Sequence, residues 1–220
     1  MAYNLTNRRD VLQKILTLTT ATSLLGLNSC NGDKENDLGQ TSLRRDIIPC
    51  TPLNILPEEA ALEAPGGFNM RIRVRSTQTS NQFGCYEALV MPKTMGPAPH
   101  VHQALDEVMY VFHGTASILV GNEVHLVKTG GWHVRPRNIL HTFWNEQDEP
   151  LRFFDMYFNQ NFEEFMEEFF QKLIPYMLAN KLQRSDPEMI RRIDELSSRF
   201  GITMYHDKRQ AIIDKYGLKS

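Results

Sequence analysis

Three histidines and one glutamate in the middle of this 220-residue chain have the types and spacing of metal ligands. His100 and His102 lie two residues apart, so on a β-strand both imidazoles point to the same face. A polar break follows them, and a chain reversal there can bring the carboxylate of Glu107 beside the two rings. His141 begins a later strand. Three neutral imidazoles and one carboxylate suit a divalent cation and leave coordination positions open for a substrate.

The segment that positions these side chains has the pattern of short antiparallel strands. Met70, Ile72 and Val74 alternate with arginines, which is the period of a half-buried strand. Further short apolar runs, separated by Gly, Pro and Asn turn signals, cover 83–91, 108–112, 116–120, 124–127 and 151–158. We therefore predict a mainly β fold, a sandwich or barrel, over residues 56–160.

These residues resemble the two motifs of the cupin superfamily. The first motif, G(x)5HxH(x)4E(x)6G, is matched by Gly96, His100, His102, Glu107 and Gly114, although Gly96 lies two positions closer to the histidines. The second, G(x)5PxG(x)2H(x)3N, is matched by Gly130, Pro136, His141 and Asn145. Asn138 replaces the motif's middle glycine, and the turn should survive because Asn tolerates a positive φ.

The resemblance implies a double-stranded β-helix, the jelly-roll barrel of cupins. It also implies one divalent metal ion bound by His100, His102, Glu107 and His141. The layout of a barrel followed by helices is similar to the single-domain cupins grouped with quercetin 2,3-dioxygenase. A metal-free barrel with core histidines is the alternative, but burying three histidines beside a carboxylate without an ion is costly.

Residues 1–30 have the parts of a bacterial signal peptide. Arg8 and Arg9 precede an uncharged run of 13 residues, 15–27, which is short for a membrane span. The pair resembles a twin-arginine export signal, and the segment ending in Cys30 resembles a lipobox, whose cysteine is lipidated. We expect a lipid-anchored protein that faces the periplasm in a bacterial cell envelope. The alternative is a cytoplasmic protein with an amphipathic leader.

Residues 31–55 are polar, lack a periodic apolar face and suit a flexible linker. Beyond Cys30, Cys50 and Cys85 form an even pair that could make a disulfide in an oxidising compartment.

A twin-arginine signal implies folding, and therefore metal loading, before export. On that basis we expect manganese, iron or nickel rather than the stronger binders copper and zinc, which also accept these ligands.

The last part of the chain, 161–220, has helical periodicity. Apolar residues recur every three or four positions between 162 and 178, where glutamates fill the other face, and Pro175 should kink or end this helix. A second helix is predicted from Asp186 to Gly201, and a third over 211–216. These apolar faces should pack on the barrel or on the second subunit of a homodimer, because about 60 residues bury little alone.

Other side chains are candidates for binding a substrate. Arg135 and Arg137 flank Pro136 and can bind an anion, although solvent exposure is the simpler expectation. Tyr86 and Phe143 can line a pocket, although such residues usually belong to a core. Surface or structural roles are expected for His113, His125 and His133, while His206 has no partner evident in the sequence.

Three functions stay open. The first is a metal-dependent dioxygenase acting on a small enol or phenolic substrate, with Glu107 as ligand or base. The second is a non-redox isomerase or lyase of sugars or keto acids. The third is a non-catalytic binding or sensing protein, since fold does not determine function. With a net charge of −2 and no basic tract, the composition argues against a nucleic-acid partner, and the lipid is the expected membrane contact.

Overall fold

The computed structural model describes residues 50–58 and 60–219. The predicted signal peptide with Cys30 and most of the predicted linker lie outside these residues. Residues 50–58 contain no helix or strand and are exposed. Among the described helices, none has the length and apolar character needed to cross a membrane.

The strands form two antiparallel sheets. In chain order they are β1 Phe68–Val74, β2 Phe83–Val90, β3 Thr94–Met95, β4 His100–His102, β5 Asp106–His113, β6 Thr115–Val120, β7 Glu123–Lys128, β8 Trp132–Arg135, β9 His141–Asn145, β10 Leu151–Phe158 and β11 Ile202–Met204. The first sheet has the order β1-β2-β10-β5-β8 and the second β11-β4-β9-β6-β7, with β3 paired to β9. This confirms the predicted mainly β jelly roll.

The alternating sequence pattern explains which faces meet in the core. In β5 and β10 every second side chain is buried, including Met109, Val111, Leu151 and Phe153, each with no exposed surface. Residues between them are partly exposed, as expected for sheets with one solvated face. The two inner faces therefore enclose one apolar core.

Three strands were not predicted from the sequence: β3, β8 and β11. Each has at most four residues, which is too short for a period-two pattern to stand out. The most consequential is β11, because it pairs antiparallel with β4 and places Ile202 opposite His102 and Met204 opposite His100. The C-terminal extension thus adds a strand directly beside the two histidines.

The extension contains four α-helical segments. They are α1 Glu163–Glu168, α2 Ile174–Ala179, α3 Pro187–Arg199 and α4 Arg209–Tyr216, and a π-helical turn, Phe169–Leu173, joins the first two. The π turn comes just before Pro175, the second residue of α2, whose missing N–H was expected to disturb the helix. The predicted Asp186 start of α3 is confirmed, and α4 begins two residues before the prediction.

The polar face predicted for the first of these helices is wrong at one position. Glu163 is buried, and its carboxylate accepts hydrogen bonds from the backbone N–H and the hydroxyl of Ser76, beside the barrel. This contact fastens the start of α1 to the loop after β1. A buried carboxylate needs such donors, because without them its desolvation would destabilise the fold.

The disulfide considered from the sequence is absent, since Cys50 and Cys85 are both free cysteines. Cys50 is exposed, with its Sγ 3.3 Å from the hydroxyl oxygen of Ser80. Cys85 is half-buried in β2, where burial, followed by the charge of Asp155, raises the pKa of its thiol to about 11. The two cysteines are therefore expected to differ in reactivity.

In a Cys30→Ser chain at pH 8, we expect a thiol reagent to modify Cys50 first and Cys85 at least roughly tenfold more slowly, because the thiolate is the reactive form. Timed mass spectrometry of peptides measures both rates, and denaturant should bring them together. A Cys85→Ser variant should keep the fast phase and lose the slow one. Equal rates in the folded chain, or two unreactive cysteines, would contradict this assignment.

Candidate metal centre

The structure brings the four predicted ligands together in the barrel. His100 and His102 project from β4, Glu107 from β5 and His141 from β9, and one ligand atom from each lies within 4.8 Å of the others. All four side chains are buried. His100 is paired in register with His141, which places the two rings on neighbouring strands with centroids 4.5 Å apart. The prediction that β4 points both histidines to one side is confirmed.

Backbone carbonyls set the tautomers of two of the rings. His100 Nδ1 lies 2.9 Å from the carbonyl oxygen of Ala98, and His141 Nδ1 lies 2.9 Å from that of Ile139. A carbonyl oxygen can only accept, so each Nδ1 carries a hydrogen and Nε2 is the nitrogen available to bind a metal. This is the usual support for a metal-ligating histidine. Burial, and then the neighbouring histidines, hold the pKa of His100 well below its ordinary value, so this ring is neutral.

Unsatisfied buried atoms show that the site fits a cation. His102 Nδ1 and Nε2 and His141 Nε2 are buried without a hydrogen-bond partner in the described part of the chain. His102 Nε2 lies 2.8 Å from Glu107 Oε1, but this contact lacks hydrogen-bond geometry. Orphaned buried nitrogens destabilise a fold unless something binds them. A divalent ion bound to these nitrogens and to the carboxylate satisfies them together.

Glu107 is held by a buried arginine that the sequence analysis had favoured as exposed. Arg135 is 1% exposed, and its Nη2 lies 2.9 Å from Glu107 Oε2 and also donates to Asp155. Asp155 in turn accepts a hydrogen bond from the hydroxyl of Tyr157 at 3.2 Å. Solvent exposure was the wrong expectation because β8, which carries Arg135, was not recognised as a strand that pairs with β5.

The charges in this group favour an ionised ligand. Burial works against ionisation of Glu107, but the adjacent Arg135 guanidinium, followed by His141, holds the pKa of Glu107 well below its ordinary value. A carboxylate in this state is ready to bind a cation. Asp155 contacts the same guanidinium nitrogen, Nη2, and burial raises the pKa of Asp155 to about 6 against the opposing effect of Arg135.

The ligands open onto a cavity between the barrel and the C-terminal extension. His100, His102 and Glu107 line it. Six phenylalanines contribute to the rest of the wall: Phe68, Phe143, Phe162, Phe165, Phe169 and Phe170. Phe162 packs edge-on against the ring of His102, with centroids 5.5 Å apart. A small organic ligand in this cavity would contact aromatic faces beside the metal ligands.

Of the four predicted substrate-binding residues, Phe143 lines this cavity. Arg135 instead supports Glu107, and Arg137 binds Asp106, with Nη2–Oδ2 at 2.5 Å, on the partly exposed side of the barrel. Tyr86 is not part of the cavity wall, and its ring packs at a tilt of 59° against that of Tyr157, which does line the cavity, with centroids 4.9 Å apart. Arg137 and Tyr86 therefore lie outside the cavity, because Arg137 is paired with Asp106 and Tyr86 belongs to the apolar core of the barrel.

The remaining histidines lie where structural roles were expected, with one exception. His113 and His125 are exposed, and His133 packs against His125 with ring centroids 5.1 Å apart. Burial, followed by the charge of Arg135, lowers the pKa of His133 to about 4. His206 lines the cavity and has a partner that the sequence did not reveal, since its Nε2 lies 2.9 Å from Asp194 Oδ1 in α3.

Gly96, which departs from the motif spacing, lies where a side chain would not fit. A Cβ on Gly96 would lie 2.4 Å from the carbonyl oxygen of Phe143, closer than real Cβ contacts. The backbone N–H of Gly96 donates to that same oxygen at 3.0 Å. The loop leading to β4 is thereby held against β9. Asn138 adopts φ +63°, as predicted from its place in the second motif, and its N–H donates to the carbonyl of His102 at 2.8 Å.

Besides His206, three polar cavity residues that sequence reasoning missed lie in the extension. They are Arg184, Ser197 and Arg209. None is part of a motif, and each is separated from the metal ligands by more than 40 positions in the sequence. Their convergence on the cavity depends on how the helices fold back over the barrel.

Together these features describe a jelly-roll barrel with a buried group of three histidines and one glutamate. Residues 86–157, which include most of the barrel strands, match the family model of the Cupin domain. No curated protein sequence matches the chain.

Several solved structures are similar to this chain. KdgF from Halomonas sp. is 16% identical, with a TM-score of 0.45 over 52% of this chain and 99% of that one. Oxalate decarboxylase from Lactobacillus farciminis is 22% identical, with a TM-score of 0.39 over 44% of this chain and 30% of that one. A sugar phosphate isomerase of the cupin superfamily from Silicibacter pomeroyi is 20% identical, with a TM-score of 0.37 over 42% and 60%. Similarity at this level carries no conclusion about activity.

Proposed function

We propose that this chain is a metal-dependent dioxygenase that acts on a small organic substrate with an enol or phenolic oxygen. The observation that carries the proposal is the buried group of His100, His102, Glu107 and His141, of which the first three line a cavity together with six phenylalanines. A metal ion bound there would supply a Lewis acid and a place where the substrate oxygen and dioxygen can meet. Manganese, iron or nickel is our preferred ion, with copper or zinc as alternatives.

The protein's own residues prepare the substrate. The phenylalanine wall binds an apolar or aromatic body and keeps bulk water from the reacting atoms. Glu107 is either a ligand throughout or the base that accepts the hydroxyl proton of the substrate at Oε1, while Arg135 holds its other oxygen. His100 and His141 stay oriented through their Nδ1–H bonds to backbone carbonyls, so neither ring needs to rotate.

A second candidate function has one observation in its favour. Arg184 and Arg209 place positive charge on the same cavity, as a non-redox isomerase or lyase of keto acids would need. The aromatic character of the rest of the wall argues against a sugar, whose hydroxyl groups require polar partners. A binding or sensing protein would use the same cavity without turnover.

Oxygen uptake separates these functions. The protein is loaded with manganese, iron or nickel in turn and mixed with flavonols, catechols and aryl enol acids in an oxygen-electrode cell. We expect one member of this panel to be consumed in step with dioxygen, and a His141→Ala variant to show no such uptake. Anaerobic conversion of a keto acid would instead support the isomerase or lyase, and saturable binding without turnover would support the sensor.

We also propose that the chain is exported and anchored through Cys30 in a bacterial envelope, which is the prediction from Arg8, Arg9 and the lipobox-like segment. If the protein folds before export, it would bind its metal from the ions available in the cytoplasm. Formation of a homodimer and the absence of a nucleic-acid partner stay predictions.

A further inference from the structure

Two arginines of the C-terminal extension, Arg209 buried and Arg184 half-buried, line the cavity, and each has one buried donor nitrogen without a partner among the described residues. Arg209 is 8% exposed, and the Nη2 atoms of Arg209 and Arg184 have no contact with solvent and no hydrogen-bond partner among the described residues. Both side chains line the same cavity as the metal ligands. The hydroxyl of Ser197, 1% exposed and also without a partner in the described part of the chain, lines it too.

No carboxylate of the described residues forms an ion pair with either arginine. Each instead donates Nη1 to one backbone carbonyl, that of Gly96, at 2.6 Å from Arg209 and 3.5 Å from Arg184. Burial lowers the pKa of Arg184 to about 10, and burial followed by the charge of Arg184 lowers that of Arg209 to about 9. Two like charges held side by side in this way destabilise a fold unless an anion joins them.

The shared carbonyl places the arginines near the metal centre. Gly96 is four residues before His100, and even a fully extended chain of that length spans no more than about 14 Å. Pro97 and Ala98, which lie between them, also line the cavity, and Ala98 holds the ring of His100. One small molecule can therefore reach both the arginine pair and the metal ligands.

We propose that the substrate of this site is an amphipathic organic anion, whose oxyanion group is bound by Arg184 and Arg209 and whose apolar body lies against the phenylalanines. This inference rests on the proposed function and names its substrate class. The two free Nη2 donors match the two oxygens of a carboxylate, with Ser197 as a third donor. A phosphate offers the same chemistry with more charge.

Binding to the metal-loaded protein tests the proposal without any need for turnover. Isothermal titration with benzoate, phenyl phosphate and the neutral benzyl alcohol should show saturable binding of at least one anion and much weaker binding of the alcohol. Arg184→Met and Arg209→Met should each weaken anion binding roughly tenfold or more, since each removes a charge-assisted hydrogen bond. Arg209→Lys should recover part of the loss, and Arg137→Met, outside the cavity, should change nothing.

Two further measurements distinguish anion binding by the arginines from binding by the metal and from a purely structural role. The same anion should still bind a His100→Ala variant, because the arginines and not the ion hold the oxyanion; complete loss there would place the anion on the metal and overturn the proposal. Thermal unfolding of the unliganded methionine variants should show equal or higher stability, since an unpaired buried charge is removed. Lower stability with unchanged anion affinity would show that the arginines only stabilise the fold, through their hydrogen bonds to the Gly96 carbonyl.

The outcomes also keep this proposal distinct from the dioxygenase. Anion binding that depends on both arginines, without oxygen uptake for any substrate, would uphold the anion site and reject the dioxygenase. If neither anion binds at millimolar concentration, or if the alcohol binds equally well, the anion site is wrong even where oxygen uptake is observed.

Discussion

Replacing His100 or His141 by alanine should give a folded chain whose metal affinity is lower by roughly a hundredfold or more. Each change removes one of four ligands, whereas loss of an outer partner of a ligand alone costs ten- to a hundredfold in metal affinity. The fold should persist because each ring makes one hydrogen bond, to a backbone carbonyl, and that bond contributes only about 1 kcal/mol. Elemental analysis after dialysis measures the metal, and circular dichroism the fold.

The chain offers matched controls for this experiment. His113→Ala and His125→Ala remove exposed imidazoles outside the cluster and should leave about one metal ion per chain. A wild-type metal content in both the His100→Ala and His141→Ala variants would refute the ligand assignment. Loss of metal from the His113→Ala variant would point to a different site.

The metal ligands could be predicted from the sequence because local geometry determines them. The His100-x-His102 spacing fixes two side chains on one face of β4, and the two motifs bracket turns that return β5 and β9 to the same place. The alternation of apolar and polar residues in β1, β5 and β10 likewise predicts which side chains face the core. Such signals depend on neighbours within a few positions, which a single sequence contains.

The cavity could not be predicted in this way, because its wall is made by distant segments. Arg184 and Arg209 become neighbours of Gly96 through the folding of α3, β11 and α4 back over β4, and β11 is too short to show a pattern. Arg135 illustrates the same limit, because solvent exposure was the simpler expectation for an arginine beside Pro136. Its burial follows from the pairing of β8 with β5, which places it opposite Glu107.

Arg135→Met should destabilise the metal-free protein by about 3–5 kcal/mol, which is the usual effect of removing one partner from a buried ion pair. The variant leaves Glu107 and Asp155, 3% and 0% exposed, without the guanidinium between them. Two adjacent buried carboxylates cannot both stay ionised, so at least one must take up a proton on folding. Urea unfolding of EDTA-treated protein measures the change.

The pH dependence has a definite sign. In the variant the folded-state pKa of these carboxyls rises above the unfolded value, so the chain gains protons when it folds, and its stability falls as pH rises through the raised pKa. The deficit relative to wild type should therefore be smaller at pH 5 than at pH 8. Asp155→Asn added to Arg135→Met should recover part of the loss at pH 8, because one of the two carboxylates is gone.

An exposed ion pair provides the control for the effect of Arg135→Met on stability. Arg191→Met breaks the exposed pair with Glu195, one turn along α3, and should leave unfolding unchanged within error at both pH values. If Arg135→Met resembled this control, or if its deficit were the same at pH 5 and pH 8, the buried charges would not be coupled as described. In that case Arg135 would not be the group that keeps Glu107 ionised for the metal.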